Sequence, residues 1–404
     1  MKSLKFITAT AAAIAALAAA TPARAQTTAL VYDGYVYDGP AVRGTLTLTL
    51  KLAAAKGGTT NWTFTGKAQL QNAAVSFVHK AVNLPPEGAV EISMKTGEKI
   101  NLEYESLQIS GTLSGGKAGG PLEFSGYQNV FADKKNKGAQ DVMGQLRGLY
   151  NVALLESMDE YHGWFSMNAG SYGAVKIAGK MSDGTAVSGA AKMVWAPVGG
   201  VVAFHRPLYK KRGSVGGVLV LNPENWRISS GMPVRWENTD PAKAFSKTLY
   251  AAGGWFGTGK NVTAIPPGFM FHSYASRDAE GLPAPAANIT GDWVYDAFPW
   301  EIEVKNKNGK LYLDKGFPPK KVGGEYTYTG DNPSMATLSY APRTGLFRGS
   351  FKIYFDGNKA CGSPIHKQTS VPYTGLMVPY LGEGVGFGMA PINREKISIP
   401  IGIW

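Results

Sequence analysis

Cysteine is almost missing from this 404-residue chain: Cys361 stands alone, so no intrachain disulfide can form. Stability must come from apolar cores and hydrogen-bonded sheets. Beyond the N-terminal stretch no run approaches the ~18 consecutive apolar residues that a transmembrane helix needs. Long amphipathic helices are lacking too, and the best helical candidate, Gln140 to Leu146, is short and contains Gly144. His79, His162, His205, His272 and His366 occur singly, without a His-Glu-x-x-His or a cysteine pair, so no zinc site is expected. A Gly-x-Ser-x-Gly elbow is absent, which removes the signature of one hydrolase class. No cofactor is implied.

Some motifs come close to a function and stop short. Gly254-Trp255-Phe256-Gly257-Thr258-Gly259-Lys260-Asn261 matches a phosphate-binding loop until Asn261 takes the place of the magnesium-holding Ser or Thr. No apolar strand leads in and no helix pattern follows, so it reads as a glycine-rich turn. Gly382-x-Gly384-x-Gly386-x-Gly388 lacks the spacing of a dinucleotide fingerprint and predicts a strand with one bare face for aromatic rings or another backbone. Asp159-Glu160-Tyr161-His162 is the densest titratable cluster. Such a group serves as general acid or base, or as a weak calcium site, but more often forms a solvated turn. Glycosidases need two carboxylates about 5 to 10 Å apart, and 29 acidic residues guarantee chance pairs.

The N-terminus carries a recognisable address. Lys2 and Lys5 precede an apolar run from Phe6 to Ala20, and Ala23-Arg24-Ala25 is a small-residue cleavage site, so residues 1–25 read as a signal peptide. The 379 residues after it are too many for one core, and at least two domains are expected. Losing Lys2, Lys5 and Arg24 lowers the formal charge from +12 to +9. For an exported protein, a basic balance favours anionic polysaccharides or envelope polymers over nucleic acid.

The 51 glycines, 24 prolines and 19 tyrosines suit an all-β chain with many turns. Its key stretch is Tyr172 to Trp195, which reads as a β-hairpin. A two-residue Asp183-Gly184 loop would put Met193 on the face opposite Val175 and Ile177. A three-residue loop, Ser182 to Gly184 with Gly184 left-handed, pairs Met181 with Thr185 instead. Val175, Ile177, Val187, Met193 and Trp195 then share one face, and burial selects that register. Similar glycine-centred cores recur at Phe64 to Leu70, Ile109 to Leu113 and Phe347 to Ile353. Each mid-strand glycine predicts a bulge, a bend or a close approach.

The predicted architecture is tandem antiparallel β-meanders forming sandwich- or barrel-like domains. Meanders are placed at 30–131 and 148–197 in an N-terminal domain (26–200). Two more, at 201–275 and 290–404, make up a C-terminal domain (201–404). Pro197 to Gly200 marks the boundary, and Lys134 to Asp141 reads as a polar linker.

Met181 to Thr185, Pro207 to Gly213 and Arg343 to Lys352 together resemble glycine-rich β-repeat modules of exported and surface proteins from Gram-negative bacteria. That resemblance spans residue 148 to the end and implies an extracytoplasmic β module, with no catalytic residues to carry over. Trp255, Phe256, Phe269, Phe271 and Tyr274 lie in glycine- and proline-rich segments and are the candidate ligand-binding rings, since flat rings stack on sugar faces. The expected function is an exported non-enzymatic protein of the periplasm, cell surface or extracellular space binding an envelope polymer or acidic glycan. The alternatives are a secreted carbohydrate-active enzyme using Asp159, Glu160 or His162, and an outer-membrane β-barrel. Trp404 on an alternating strand suits the barrel, while the opposite parity of Ile397 to Ile403 and Pro400 count against it, so membrane insertion is not expected.

Overall fold

The computed structural model describes residues 28–54, 60–85, 87–158, 160–257 and 269–273, then 276–404 apart from 278–282, 285–301, 308–309, 319, 323–324, 328–329, 333, 359–363 and 393–394. The predicted signal peptide, Asp159, Tyr274, Cys361 and the end of the phosphate-loop-like stretch lie outside the described residues.

The first sheet has eight strands: β1 (Thr28–Asp38), β2 (Ala41–Ala54), β3 (Thr60–Leu70), β4 (Ala74–Val82), β5 (Gly88–Ser93), β6 (Lys99–Tyr104), β7 (Gln108–Gly115) and β8 (Gly119–Gln128). Their order is β4-β3-β2-β1-β8-β7-β6-β5, two antiparallel meanders joined where Tyr32 of β1 meets Gln128 of β8. The alternation in β2 sets the inner face: Leu46, Leu48 and Leu50 are buried with Phe64, Tyr104 and Ile109. Each such side chain contributes roughly 1.5–3 kcal/mol by leaving water. Buried tyrosines turn their hydroxyls to carbonyls, Tyr32 to Glu105 at 2.8 Å and Tyr104 to Pro85 at 3.0 Å.

The helical candidate Gln140 to Leu146 is the main part of a helix, α1 (Lys137–Leu146), whose first turn takes in residues read as a polar linker. Asn136 caps it, its Oδ1 accepting from the Ala139 amide at 3.1 Å. Ala139, Val142, Met143 and Leu146 form its buried stripe at helical spacing. The lysines and Asp141 concealed only its first turn.

Strands β9 (Gly148–Ser157), β10 (Glu160–Ala169), β11 (Ala174–Met181), β12 (Ala186–Ala196), β13 (Gly199–Leu208), β14 (Gly213–Leu221), β15 (Arg227–Asn238) and β16 (Phe245–Gly257) make a closed barrel in which β16 returns to β9. The β11–β12 turn is the three-residue loop expected. The Met181 amide donates to Thr185 O at 2.9 Å, and Gly184 has φ +85°, a conformation that costs a side-chain-bearing residue. Val175, Ile177, Val187 and Met193 are buried, and half-buried Trp195 sets its ring edge-on to Phe131. The single apolar side fails at the end of β12, where Val194 and Ala196 on the other face are buried as well.

The predicted boundary at residue 200 is overturned. Ala196 pairs with Gly199, so Pro197 and Val198 form a two-residue turn between neighbouring strands of one barrel. Proline looked like a break because it is tolerated in tight turns as well as in linkers. The compact units are interleaved: one comprises Met1–Gly148, Met167–Ile177 and Ser188–Ala252, the other Leu149–Ser166, Ala178–Val187 and Gly253–Trp404.

In the second unit a seven-stranded sheet is built from β17 (Met270–Ser273), β18 (Ile302–Glu303), β19 (Thr337–Ala341), β20 (Leu346–Asn358), β21 (Pro364–Val378), β22 (Glu383–Ile392) and β23 (Glu395–Ile403). The order is β18-β17-β23-β22-β21-β20-β19. Gly384 and Gly388 of β22 give the bare face expected, with Phe347 and Phe351 rings where side chains would stand, while Gly382 sits in a turn. Ile399, Ile401 and Ile403 are buried, and Trp404 is exposed. Among the described residues no helix is long and apolar enough to cross a membrane, which does not bear on strands.

Candidate functional site

Eight-stranded sheets that curl can enclose a small ligand or fill with side chains. Filling is what these residues do. Within the first unit, Met167, Val175, Ile177, Met193, Val202, Phe204, Leu219 and Leu221 of the barrel strands are all at most 2% exposed. The inner face of the first sheet leaves a cavity of only about 10 Å³, lined by apolar residues such as Leu48, Phe77 and Phe124. The chemistry-bearing side chains are therefore found outside the cores.

One groove stands out in the first unit, where the outer face of β1, β2 and β8 meets β12 and β13. Its volume is about 180 Å³. Val194 and Val201 pack beneath it with Val42 and Val218, against Tyr35 and Tyr127. The walls carry Asp33, Thr45 and Thr47 from one sheet and Lys192 and Arg206 from the other. The Asp33 carboxylate is engaged on both oxygens, accepting from Thr47 Oγ1 at 2.8 Å and Asn129 Nδ2 at 2.7 Å. Lys192 is exposed and has no hydrogen bond or ion pair among the described residues. Arg206 donates to the carbonyls of His205 and Ala190, and no described carboxylate neutralises it. Its side chain lies across Gly189, where an added Cβ would stand 1.9 Å from Nε. An alanine there would push the Arg206 side chain aside.

His205, beside Arg206 on β13, is 5% exposed, and its Nε2 has no hydrogen-bond partner. Burial pushes its pKa down to about 4, and the charges of Arg206 and Arg43 add to that. The imidazole is thus held neutral in a positive field. Arg43 donates to Glu237 Oε1 at 2.8 Å, and the Ser214 hydroxyl donates to the same oxygen at 3.3 Å. Buried Glu237 is spent on Arg43, so the groove walls keep Lys192 and Arg206 against the single carboxylate of Asp33.

The predicted aromatic site is not assembled. Phe256 and Phe271 are 3% and 0% exposed, and both belong to the core of the seven-stranded sheet. Half-buried Phe269 packs against that core. Only Trp255 among the described four is exposed, because it points away from Phe256 on β16. The rings looked available because glycine and proline surround them, yet alternation on a strand decided their side.

The titratable cluster is real but differs in membership. His162 Nε2 lies 2.8 Å from Glu156 Oε2 and 3.0 Å from Glu160 Oε1. Glu156, six residues away across the β9–β10 turn, was not anticipated; the hairpin that folds it back was the available signal. Two carboxylates and an imidazole are donors of the type that divalent ions accept. Both glutamates are exposed, and the imidazole between them accounts for their proximity.

Fold and site together define an all-β protein with filled sheets, one closed barrel and a cationic groove on an outer surface. No protein-family model matches the chain, and no curated protein matches it. Among solved structures, a mutant of the vaccine antigen transferrin-binding protein B from Haemophilus parasuis Hp5 is similar over 94% of this chain and 76% of its own. Identity is 10% and the TM-score 0.23, a likeness too slight to carry any argument about this protein.

Proposed function

We propose that this chain is an exported, non-enzymatic β-rich protein of the cell surface or extracellular space that binds an anionic envelope polymer or acidic glycan. The observation that carries it is the filling of the sheet interiors by apolar side chains. A ligand must then be met on the outer surface, and without the predicted signal peptide the formal charge falls from +12 to +9. A cationic surface attracts polyanions over about a Debye length, roughly 10 Å at 0.1 M salt. The signal-peptide pattern supplies the address, since acidic polysaccharides are met outside the cytoplasm.

The test is retention of the purified mature chain on immobilised acidic polysaccharide at rising salt, against an uncharged polysaccharide. Retention at low ionic strength that falls as salt rises is expected. Equal retention on the uncharged matrix, or none on the acidic one, would end this reading.

A further inference from the structure

We infer that the groove between the first sheet and strands β12 and β13 is the seat for one acid-bearing sugar of that polymer, with Lys192 and Arg206 supplying its charge recognition. This assignment rests on the proposed polyanion-binding function and narrows it to a site. Two features converge there. The first is size: about 180 Å³ is below the roughly 300–1,000 Å³ of drug-sized pockets and suits a single ring with the polymer continuing outside. The second is charge. Lys192 has no partner among the described residues and Arg206 meets only carbonyls. Asp33, the one acidic group among the lining residues, keeps its charge but is held by the neutral donors Thr47 and Asn129. The walls therefore carry a net positive charge, and neither cation is tied up in an ion pair. An anion entering the groove therefore displaces no internal ion pair.

A buried neighbour responds to the same charge. His205 is kept neutral by burial, and Arg206 and Arg43 act on it in the same direction. Half-buried Tyr35 and Tyr127 complete the walls with aromatic surface, the usual complement of the apolar face of a sugar. A polyanion that met only the general basic surface would have no reason to prefer Lys192 over other exposed lysines such as Lys176 on β11.

That preference is the test. Binding of polygalacturonate to the mature chain is measured by titration calorimetry at low salt, with dextran as the uncharged control. Lys192→Ala and Arg206→Gln are each expected to weaken binding about tenfold, and Lys176→Ala less than twofold. Arg206→Lys, which keeps the charge, separates loss of recognition from misfolding and should retain most of the affinity. Gly189→Ala, which pushes the guanidinium off its strand, should weaken binding with Lys192 intact. If the wild-type chain binds polygalacturonate but Lys192→Ala and Lys176→Ala lose equally little, the groove assignment is overturned and the polyanion function stands. If the wild-type chain shows no binding, both fall.

Discussion

At the scale of single residues, His205 is the most informative group. Its folded pKa is about 4 against an ordinary 6.5, so between those values the unfolded chain takes a proton that the folded chain refuses. Its contribution is intact above about pH 6.5 and is lost as pH falls towards 4. At 1.36 kcal/mol per unit the loss amounts to about 3 kcal/mol. Urea denaturation at neutral pH and near the lower limit should show that difference, and His205→Gln should remove most of it. His162 provides the contrast. Its glutamate partners are exposed, and exposed pairs are worth about 0–1 kcal/mol. His162→Ala is expected to shift the same denaturation midpoint only slightly. A single histidine in a string of letters does not declare whether it will be buried, so these two looked alike in the sequence.

At the scale of elements, local pattern was a good guide wherever one face of a strand had to be buried. The β11–β12 register was readable because a slip of one residue would have turned Met193 away from Val175 and Ile177. Gly184 holds that turn at φ +85°, and Gly184→Val should cost about 1–2 kcal/mol, seen as a lowered midpoint of thermal unfolding. The repeated mid-strand glycines were also legible in kind. A side chain at Gly66 would strike the Phe77 ring, and one at Gly349 the Thr337 carbonyl, which is close approach rather than a broken strand. Pattern misled at the start of α1, where Lys134 to Asp141 looked like a linker although Gln140 to Leu146 was read as helical, and where a short turn resembled a linker, as at Pro197 and Val198. The groove was illegible for a different reason. Tyr35, Tyr127, Lys192 and Arg206 come from four separate strands, and only strand order brings them together.

For the whole molecule, the all-β class and its barrel-like character followed from composition and alternation, but the division into domains did not. Antiparallel pairing between distant strands has no local signature, so the return of β16 to β9 could not be anticipated. Ending the chain at residue 200, the predicted boundary, deletes β13 to β16 and leaves the barrel open along two unpaired edges. Such a fragment should aggregate or unfold without a cooperative transition by circular dichroism, whereas a chain ending after Gly257 keeps all eight barrel strands and should remain more soluble.

The β16–β9 seam also sets a clock. The backbone of Gly253 lies against Asn151, so the first barrel strand to be made waits about a hundred residues for its last neighbour. Closing so long a loop is slow compared with forming the hairpins between. Newly made chains should therefore pass through a stage with two sticky rims, the interval in which a folding helper outside the cytoplasm would be of most use to them.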